Sequence, residues 1–299
     1  MSLQLNFLNF ITKIFRINNR YKKTGEEFIK YINKRQKKVS YPSKKMKRKY
    51  NINKKVLNNH ELFYLEKKNN LNKNKKIILY LPGGGLVFPI TPFHWNFIDW
   101  ILNKTEFGVY VGLYPLVPKF NVDDVMNWLD LAIEEIMDKH PDFEIILIGD
   151  SAGANISLSY SQWKMNKCLK EHNNGFLKNI ITISPLVNFN LENPEILKRE
   201  KIDNILSTPT LKAIANIYKA THEIDIPFIS PINGNFEKFN VLMFSGTKDL
   251  TNPDTHLMAL KFPSIQYFEY LNLPHVFPLF PIPEAKDSKE KILEFINEV

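Results

Sequence analysis

Residues 144–155 read Glu144-Ile145-Ile146-Leu147-Ile148-Gly149-Asp150-Ser151-Ala152-Gly153-Ala154-Asn155, and they decide the fold. An apolar run rich in β-branched residues, the composition of a buried strand, gives way across a Gly-Asp-Ser-Ala-Gly turn to a helix-permitting sequence. A serine with a glycine two residues to either side can be held in a tight, strained turn that aims its hydroxyl out of the fold. Larger side chains at 149 or 153 would clash there.

Outward from this corner the same rhythm repeats. Ile77–Leu81, Val109–Leu113, Ile180–Ile183, Val241–Phe244 and Ile265–Tyr270 are further short runs of branched and aromatic residues that predict buried strands. Helical patterns lie between several of them. In the clearest, Val125, Met126, Leu129, Ala132, Ile133, Ile136 and Met137 share one face, with Asp123 and Asp124 in the first turn and Pro141 as a stop. Residues 50–67 contain two short candidate strands around the polar turn Asn58-Asn59-His60, before a Lys/Asn-rich connector at 67–76. Alternating strand and helix predict a mostly parallel sheet covered on both faces. The interval 187–238 exceeds what a simple crossover needs and holds its own helix candidate around Thr210–Tyr218.

At 299 residues and 44% hydrophobic content the chain can bury a substantial core. The lone Cys168 excludes an intramolecular disulfide, fits a reducing, cytoplasmic location, and reads as an inert packing or surface residue. No run approaches the roughly 18 apolar residues of a membrane span. The apolar N-terminus, Met1–Phe15, is followed rather than preceded by its positive charges and lacks a small-residue cleavage site, so it does not read as a signal peptide.

The net charge of +9 is uneven: residues 1–70 carry 19 Lys/Arg against 4 Glu and are +15, whereas the remainder carries 21 against 27 and is −6. Nucleic-acid binding is not expected, because the basic segment has no zinc-ligand, RNA-recognition or helix-turn-helix signature. Residues 1–45 instead predict amphipathic helices, with Leu3, Phe7, Leu8, Ile11, Ile14 and Phe15 in one stripe, Phe28, Ile29 and Ile32 in another, and Pro42 as the end. An apolar face flanked by Lys and Arg is also the pattern of an interfacial helix, which leaves open peripheral contact with an anionic membrane through this basic N-terminus.

An unactivated serine hydroxyl is a poor nucleophile, so Ser151 needs a base within hydrogen-bond reach and an acid to orient that base. Asp249 follows the strand Val241–Phe244 and His275 follows the next strand, which places both at the sheet edge where Ser151 emerges. Of the other histidines, His60, His140 and His172 sit in polar connectors, His94 in a loop, His222 in the long insertion and His256 in a helix. Asp254 competes with Asp249 but follows Pro253, where it reads as a first-turn carboxylate. Upstream, Pro82-Gly83-Gly84-Gly85 follows a strand, and its unobstructed amides, with that of Ala152, could receive the negative oxygen of a tetrahedral intermediate. Leu86, Val87, Phe88, Phe93 and Trp95 come next and could line an apolar acyl pocket.

These residues together resemble the hormone-sensitive-lipase-like branch of the α/β-hydrolase esterases over roughly residues 50–299. Members carry His-Gly-Gly-Gly ahead of Gly-Asp-Ser-Ala-Gly. Tyr114-Pro115-Leu116-Val117-Pro118, Ile183-Ser184-Pro185, Gly246-Thr247-Lys248-Asp249 and Pro274-His275-Val276-Phe277 are similar to the family's other landmarks and fall in the same order. The resemblance implies the α/β-hydrolase fold, with a central, mostly parallel eight-stranded sheet, helices on both faces and a helical cap. It implies Ser151 as nucleophile, Asp249 as acid, His275 as base, the amides of Gly84, Gly85 and Ala152 as the oxyanion site, and a structural role for Asp150. It also implies a cap built from residues 1–45 and an insertion at about 187–225 upon a catalytic domain spanning 46–299. Pro82 departs from the family's histidine, and its fixed φ is expected to stiffen the approach to the glycine loop.

The expected reaction is hydrolysis of short- to medium-chain acyl esters through an acyl-enzyme, which needs no metal and no organic cofactor. A small-molecule acyl ester is the expected partner. A serine peptidase or amidase would use the same three residues. A ligand-binding relative without catalysis would be expected to lack the base or the acid, and candidates for both are present.

Overall fold

The computed structural model describes residues 2–14, 25–69, 75–168 and 177–299, without the side chains of Ile11, Ile14, Asn166, Lys167 and Cys168. The expectations for Phe15, His172, the middle of the 67–76 connector, and the side chains of Ile11, Ile14 and Cys168 lie outside the described residues.

The sheet has eight strands in the order β1-β2-β4-β3-β5-β6-β7-β8. They are β1 Tyr50–Leu57, β2 His60–Lys67, β3 Lys76–Leu81, β4 Gly108–Gly112, β5 Glu144–Asp150, β6 Asn179–Ile183, β7 Asn240–Gly246 and β8 Gln266–Tyr270. The first two form an antiparallel hairpin that pairs antiparallel with β4, and every later pairing is parallel. Asn58 and Asn59 turn the hairpin at φ of 49° and 67°, the left-handed region that asparagine tolerates better than most residues. His60 therefore opens a strand rather than lying in the connector predicted for it.

The helices are α1 Leu3–Ile14, α2 Gly25–Gln36, α3 Lys44–Lys49, α4 Pro92–Lys104, α5 Val122–Lys139, α6 Ala152–Cys168, α7 Pro194–Glu200, α8 Thr208–Tyr218, α9 Asn252–Lys261 and α10 Lys286–Glu298. Alternation along the central strands gives the sheet two buried faces. Ile77, Leu79, Leu81, Ile145 and Leu147 point into a core shared with α5 and α6, whereas Ile78, Tyr80, Ile146 and Ile148 face α4 and α10. Asn121 caps α5 by accepting from the amides of Asp123 and Asp124. All of 152–162 in α6 is buried, with the small side chains of Ser157 and Ser161 bonded back to the carbonyls of Gly153 and Leu158.

The N-terminal segment differs from its expected stripe. In α1, Leu5 is buried against Leu273, Phe277, Ile282 and Ala285 with Leu8 packed beside it, while Leu3 and Phe7 are exposed. In α2, Phe28 and Ile32 enter the larger core as expected. Between β6 and β7, α7 and α8 lie in a long excursion held down by Asn155 of α6, whose Nδ2 donates to the carbonyls of Leu186 at 2.7 Å and Ile229 at 3.0 Å. Among the described residues, no helix is long and apolar enough to cross a membrane.

Candidate active site

Ser151 sits between β5 and α6 with φ of +51°, a left-handed backbone that costs a non-glycine residue on the order of 1–3 kcal/mol. The strain is held by its amide donating to the carbonyl of Ile183 at 2.8 Å and by its own carbonyl accepting from Asn155 at 3.0 Å. The flanking glycines are needed because the turn is flush with its surroundings. A Cβ on Gly149 would lie 2.4 Å from the Gly153 carbonyl, and one on Gly153 only 1.9 Å from the Leu81 carbonyl oxygen.

The loops after β7 and β8 are stitched together by the amides of Thr247 and Lys248, each donating at 3.0 Å, to the carbonyls of Tyr270 and Leu273. This places His275 between two partners: Nε2 lies 2.8 Å from Ser151 Oγ, and Nδ1 lies 2.9 Å from Asp249 Oδ2. All three residues are buried. Asp249 Oδ1 accepts from the amide of Thr251 at 2.8 Å and from its hydroxyl at 2.9 Å, which fixes the carboxylate plane. Burial pushes the His275 pKa down, but the charge and hydrogen bond of Asp249, with smaller contributions from Asp203 and Asp150, outweigh it and hold the pKa above the ordinary value.

Among the described histidines, His275 alone bonds to Ser151. His140 caps α5, His222 pairs with Asp123 at 2.9 Å, and His256 faces Glu269 at 3.6 Å. Asp254 stays in the first turn of α9, where Oδ1 accepts from Asn193 at 2.8 Å and burial raises its pKa.

His94 corrects its expected loop position: it lies buried in α4. The Thr91 amide donates to its Nδ1 at 2.9 Å, which leaves the proton on Nε2, 3.3 Å from Asp150 Oδ2. Asp150 also accepts from the Tyr80 hydroxyl and, at 3.0 Å, from the amide of Gly83. Burial would raise its pKa, yet His94 and these hydrogen bonds pull it below the usual carboxylate value. Asp150 is thus turned away from Ser151 and ties the strand β5 to the glycine loop.

That loop is held at further points. Tyr114 Oη donates to the Pro82 carbonyl at 2.6 Å, the Gln36 side chain donates to the carbonyls of Val87 and Val117 at 3.0 and 2.6 Å, and Val117 donates to Leu86 at 3.0 Å. Gly84 and Gly85 adopt φ of +139° and +60°, and the Gly84 carbonyl accepts from the amides of Val87 and Phe88. Among the described residues, the amides of Gly84, Gly85 and Ala152 donate to no protein acceptor.

A narrow slot opens beside Ser151, lined by Gly85, Leu86, Ala152, Leu186, Phe189, Leu206, Leu211 and Thr251. Its free volume is about 10 Å³, roughly the room one water requires. Of the residues expected to form an acyl pocket, only Leu86 lines it. Val87 is buried in the core, Phe88 packs edge-on against Tyr31 and faces a different cavity, Phe93 pairs with Phe280, and the Trp95 indole donates to Ser40 and packs on Phe63. The loop turns at Gly84 and Gly85, so one residue reaches the slot before the chain leaves it. Leu186, Phe189, Leu206 and Leu211 come from the excursion after β6, whose contacts no local pattern specified. Asp203 was missed for the same reason. It is buried, accepts from the amides of Ile205 and Leu206, and takes the Leu250 amide at 2.8 Å, which joins the excursion to the Asp249 loop. Burial, and then the charge of Asp249, push its pKa up to about 6.

Among the described residues, no group of three or more His, Cys, Asp or Glu could hold a metal ion. A serine, a histidine and a carboxylate are thus joined by hydrogen bonds at the carboxyl edge of a mostly parallel sheet, an arrangement of the kind on which Ser-His-Asp hydrolases are built. The chain belongs to the α/β-hydrolase fold family, whose profile matches residues 78–279. It is similar to an esterase from Acinetobacter venetianus, 24% identical over 234 residues and covering 74% of each chain. Among solved structures, a Staphylococcus aureus protein described as an esterase candidate superposes with a TM-score of 0.82 at 24% identity, covering 94% of this chain and 96% of that one. A hormone-sensitive lipase from a metagenome library gives 0.79 at 17% identity, covering 100% and 99%.

Proposed function

We propose that this protein is a serine carboxylesterase that hydrolyses short- to medium-chain acyl esters through an acyl-enzyme. The observation that carries the proposal is the continuous hydrogen-bonded line Ser151–His275–Asp249, with contacts of 2.8 and 2.9 Å. In the first half-reaction, His275 Nε2 takes the proton of Ser151 Oγ as that oxygen adds to the ester carbonyl. Asp249 accepts the hydrogen bond from Nδ1–H without taking the proton, and its negative charge stabilises the imidazolium. The carbonyl oxygen becomes an oxyanion, received by the amides of Gly85 and Ala152, which border the slot, together with that of Gly84. Their lack of protein acceptors leaves them available for this role. Collapse expels the alcohol, which takes the proton from His275. Water then repeats the sequence against the acyl-enzyme and releases the carboxylic acid.

Residues 1–45 and the excursion at about 187–225 are proposed as a cap. Its Phe189, Leu206 and Leu211 close the slot above Ser151. The small free volume favours acetyl-sized groups, and longer acyl chains require displacement of these side chains. The Tyr114 bond to Pro82 supports the view that the loop is held without the family's histidine. The test is steady-state hydrolysis of p-nitrophenyl esters from acetate to octanoate, with an aminoacyl p-nitroanilide alongside. Fastest turnover at the short end supports the reading. Cleavage of the anilide without ester hydrolysis would refute it.

A further inference from the structure

The outward face of α1 carries three large apolar side chains beside the exposed Gln4 and Asn6. Leu3, Phe7 and Phe10, spaced to share one side of the helix, are 85%, 64% and 60% exposed, while Leu5 and Thr12 on the opposite side are buried. The helix is pinned by its buried side, by Leu5 against Leu273 and Phe277, and by Ser2, whose amide and hydroxyl donate to Glu284. The exposed side is therefore presented by packing and is not the product of a frayed end.

Phe10 borders a groove of about 370 Å³ whose other walls include Lys13, Lys201, Ile202, Lys248 and Pro274. No carboxylate lines it. Of the two acids in the adjoining segment, Glu200 accepts from the Thr208 amide at 3.0 Å, and Asp203 is buried and points inward to the Leu250 amide. Lys13, Lys201 and Lys248 form no ion pair among the described residues, and Ile202 is itself 45% exposed. Three cations without counter-ions beside a row of exposed apolar side chains match the two layers of an anionic bilayer surface, phosphates outside and acyl chains beneath.

We propose that α1 and this groove form a docking surface for an anionic phospholipid bilayer. Leu3, Phe7 and Phe10 enter the acyl boundary, and Lys13, Lys201 and Lys248 receive phosphate groups. The surface adjoins the catalytic loops, because Lys248 precedes Asp249 and Pro274 precedes His275, and Ile205 lines the groove while Leu206 lines the slot. Docking would bring the site to the membrane surface, but binding itself does not depend on the chemistry proposed for Ser151.

The experiment is flotation of the full chain with vesicles of phosphatidylcholine alone or mixed equally with phosphatidylglycerol, at low and high ionic strength, repeated with Ser151→Ala to separate binding from hydrolysis. The expected result is binding to the mixed vesicles only, weakened by salt and retained by Ser151→Ala. Phe7→Ser/Phe10→Ser and, separately, Lys13→Glu/Lys201→Glu should each lower the bound fraction by roughly tenfold or more, with an unchanged thermal midpoint. Absence of binding to mixed vesicles would overturn the proposal. So would undiminished binding by both variants, or a protein dimer that the phenylalanine substitutions dissolve and vesicles do not compete for.

Discussion

Replacing Asp249 by asparagine keeps its volume and isolates its charge. The amide and hydroxyl of Thr251 both donate to Oδ1, so the asparagine oxygen stays on that side and its NH2 group turns toward His275. Facing a donor, Nδ1 must give up its proton, which moves to Nε2, 2.8 Å from Ser151 Oγ. The imidazole then donates to the serine instead of accepting from it. A wrong tautomer of this kind lowers kcat by about 10⁴, or about 5.5 kcal/mol of transition-state stabilisation. The variant should also move the acid limb of the pH profile. Activity requires neutral His275, and Asp249 is the chief influence raising the His275 pKa against burial. The parent's activity should therefore rise with pH through a midpoint above the ordinary histidine value, and the midpoint should fall once Asp249 loses its charge. Measuring kcat/KM for p-nitrophenyl acetate across the histidine range checks both effects. A loss below tenfold, or an acid limb that does not move, would refute the relay.

The slot gives a size prediction: Leu211→Ala should leave acetate turnover near the parent's and raise kcat/KM for the hexanoate by severalfold, read from the same chromogenic series. Gly153→Ala drives a methyl group to within 1.9 Å of the Leu81 carbonyl, and neither backbone can yield cheaply. Its thermal midpoint should drop by many degrees, or the chain should fail to fold. Asp150→Asn tests the buried cluster. The carboxylate's pKa is lowered in the folded state, so its contribution to stability is present above the ordinary aspartate pKa and disappears as pH falls through the folded value. Denaturation of parent and variant should differ most near neutrality and converge in acid.

The parts of the molecule fixed by local pattern were legible in the sequence. Apolar runs located the central strands, and the Gly-Asp-Ser-Ala-Gly turn located the corner, because its glycines answer a steric demand set within a few residues. Asp249 and His275 could be found because parallel strands deliver their following loops to one edge. Trp95 and Val87 could not be placed, since facing a slot or a core depends on where the loop turns, and that turn is made by long-range bonds from Gln36 and Tyr114. His94 carried a local signal, a threonine followed by proline at the start of an apolar helix pattern, but its partner Asp150 lies 56 residues away. In α1 the apolar residues surround more of the helix than one stripe. Periodicity alone therefore could not say that Leu5 is docked while Leu3 and Phe7 face outward.

The most direct test of the central claim is intact-mass analysis after treatment with a fluorophosphonate, for the parent and for Ser151→Ala. The account predicts one adduct per parent chain, mapped to Ser151, and none on the variant. An unlabelled parent that is folded, or equal labelling of both proteins, would contradict it.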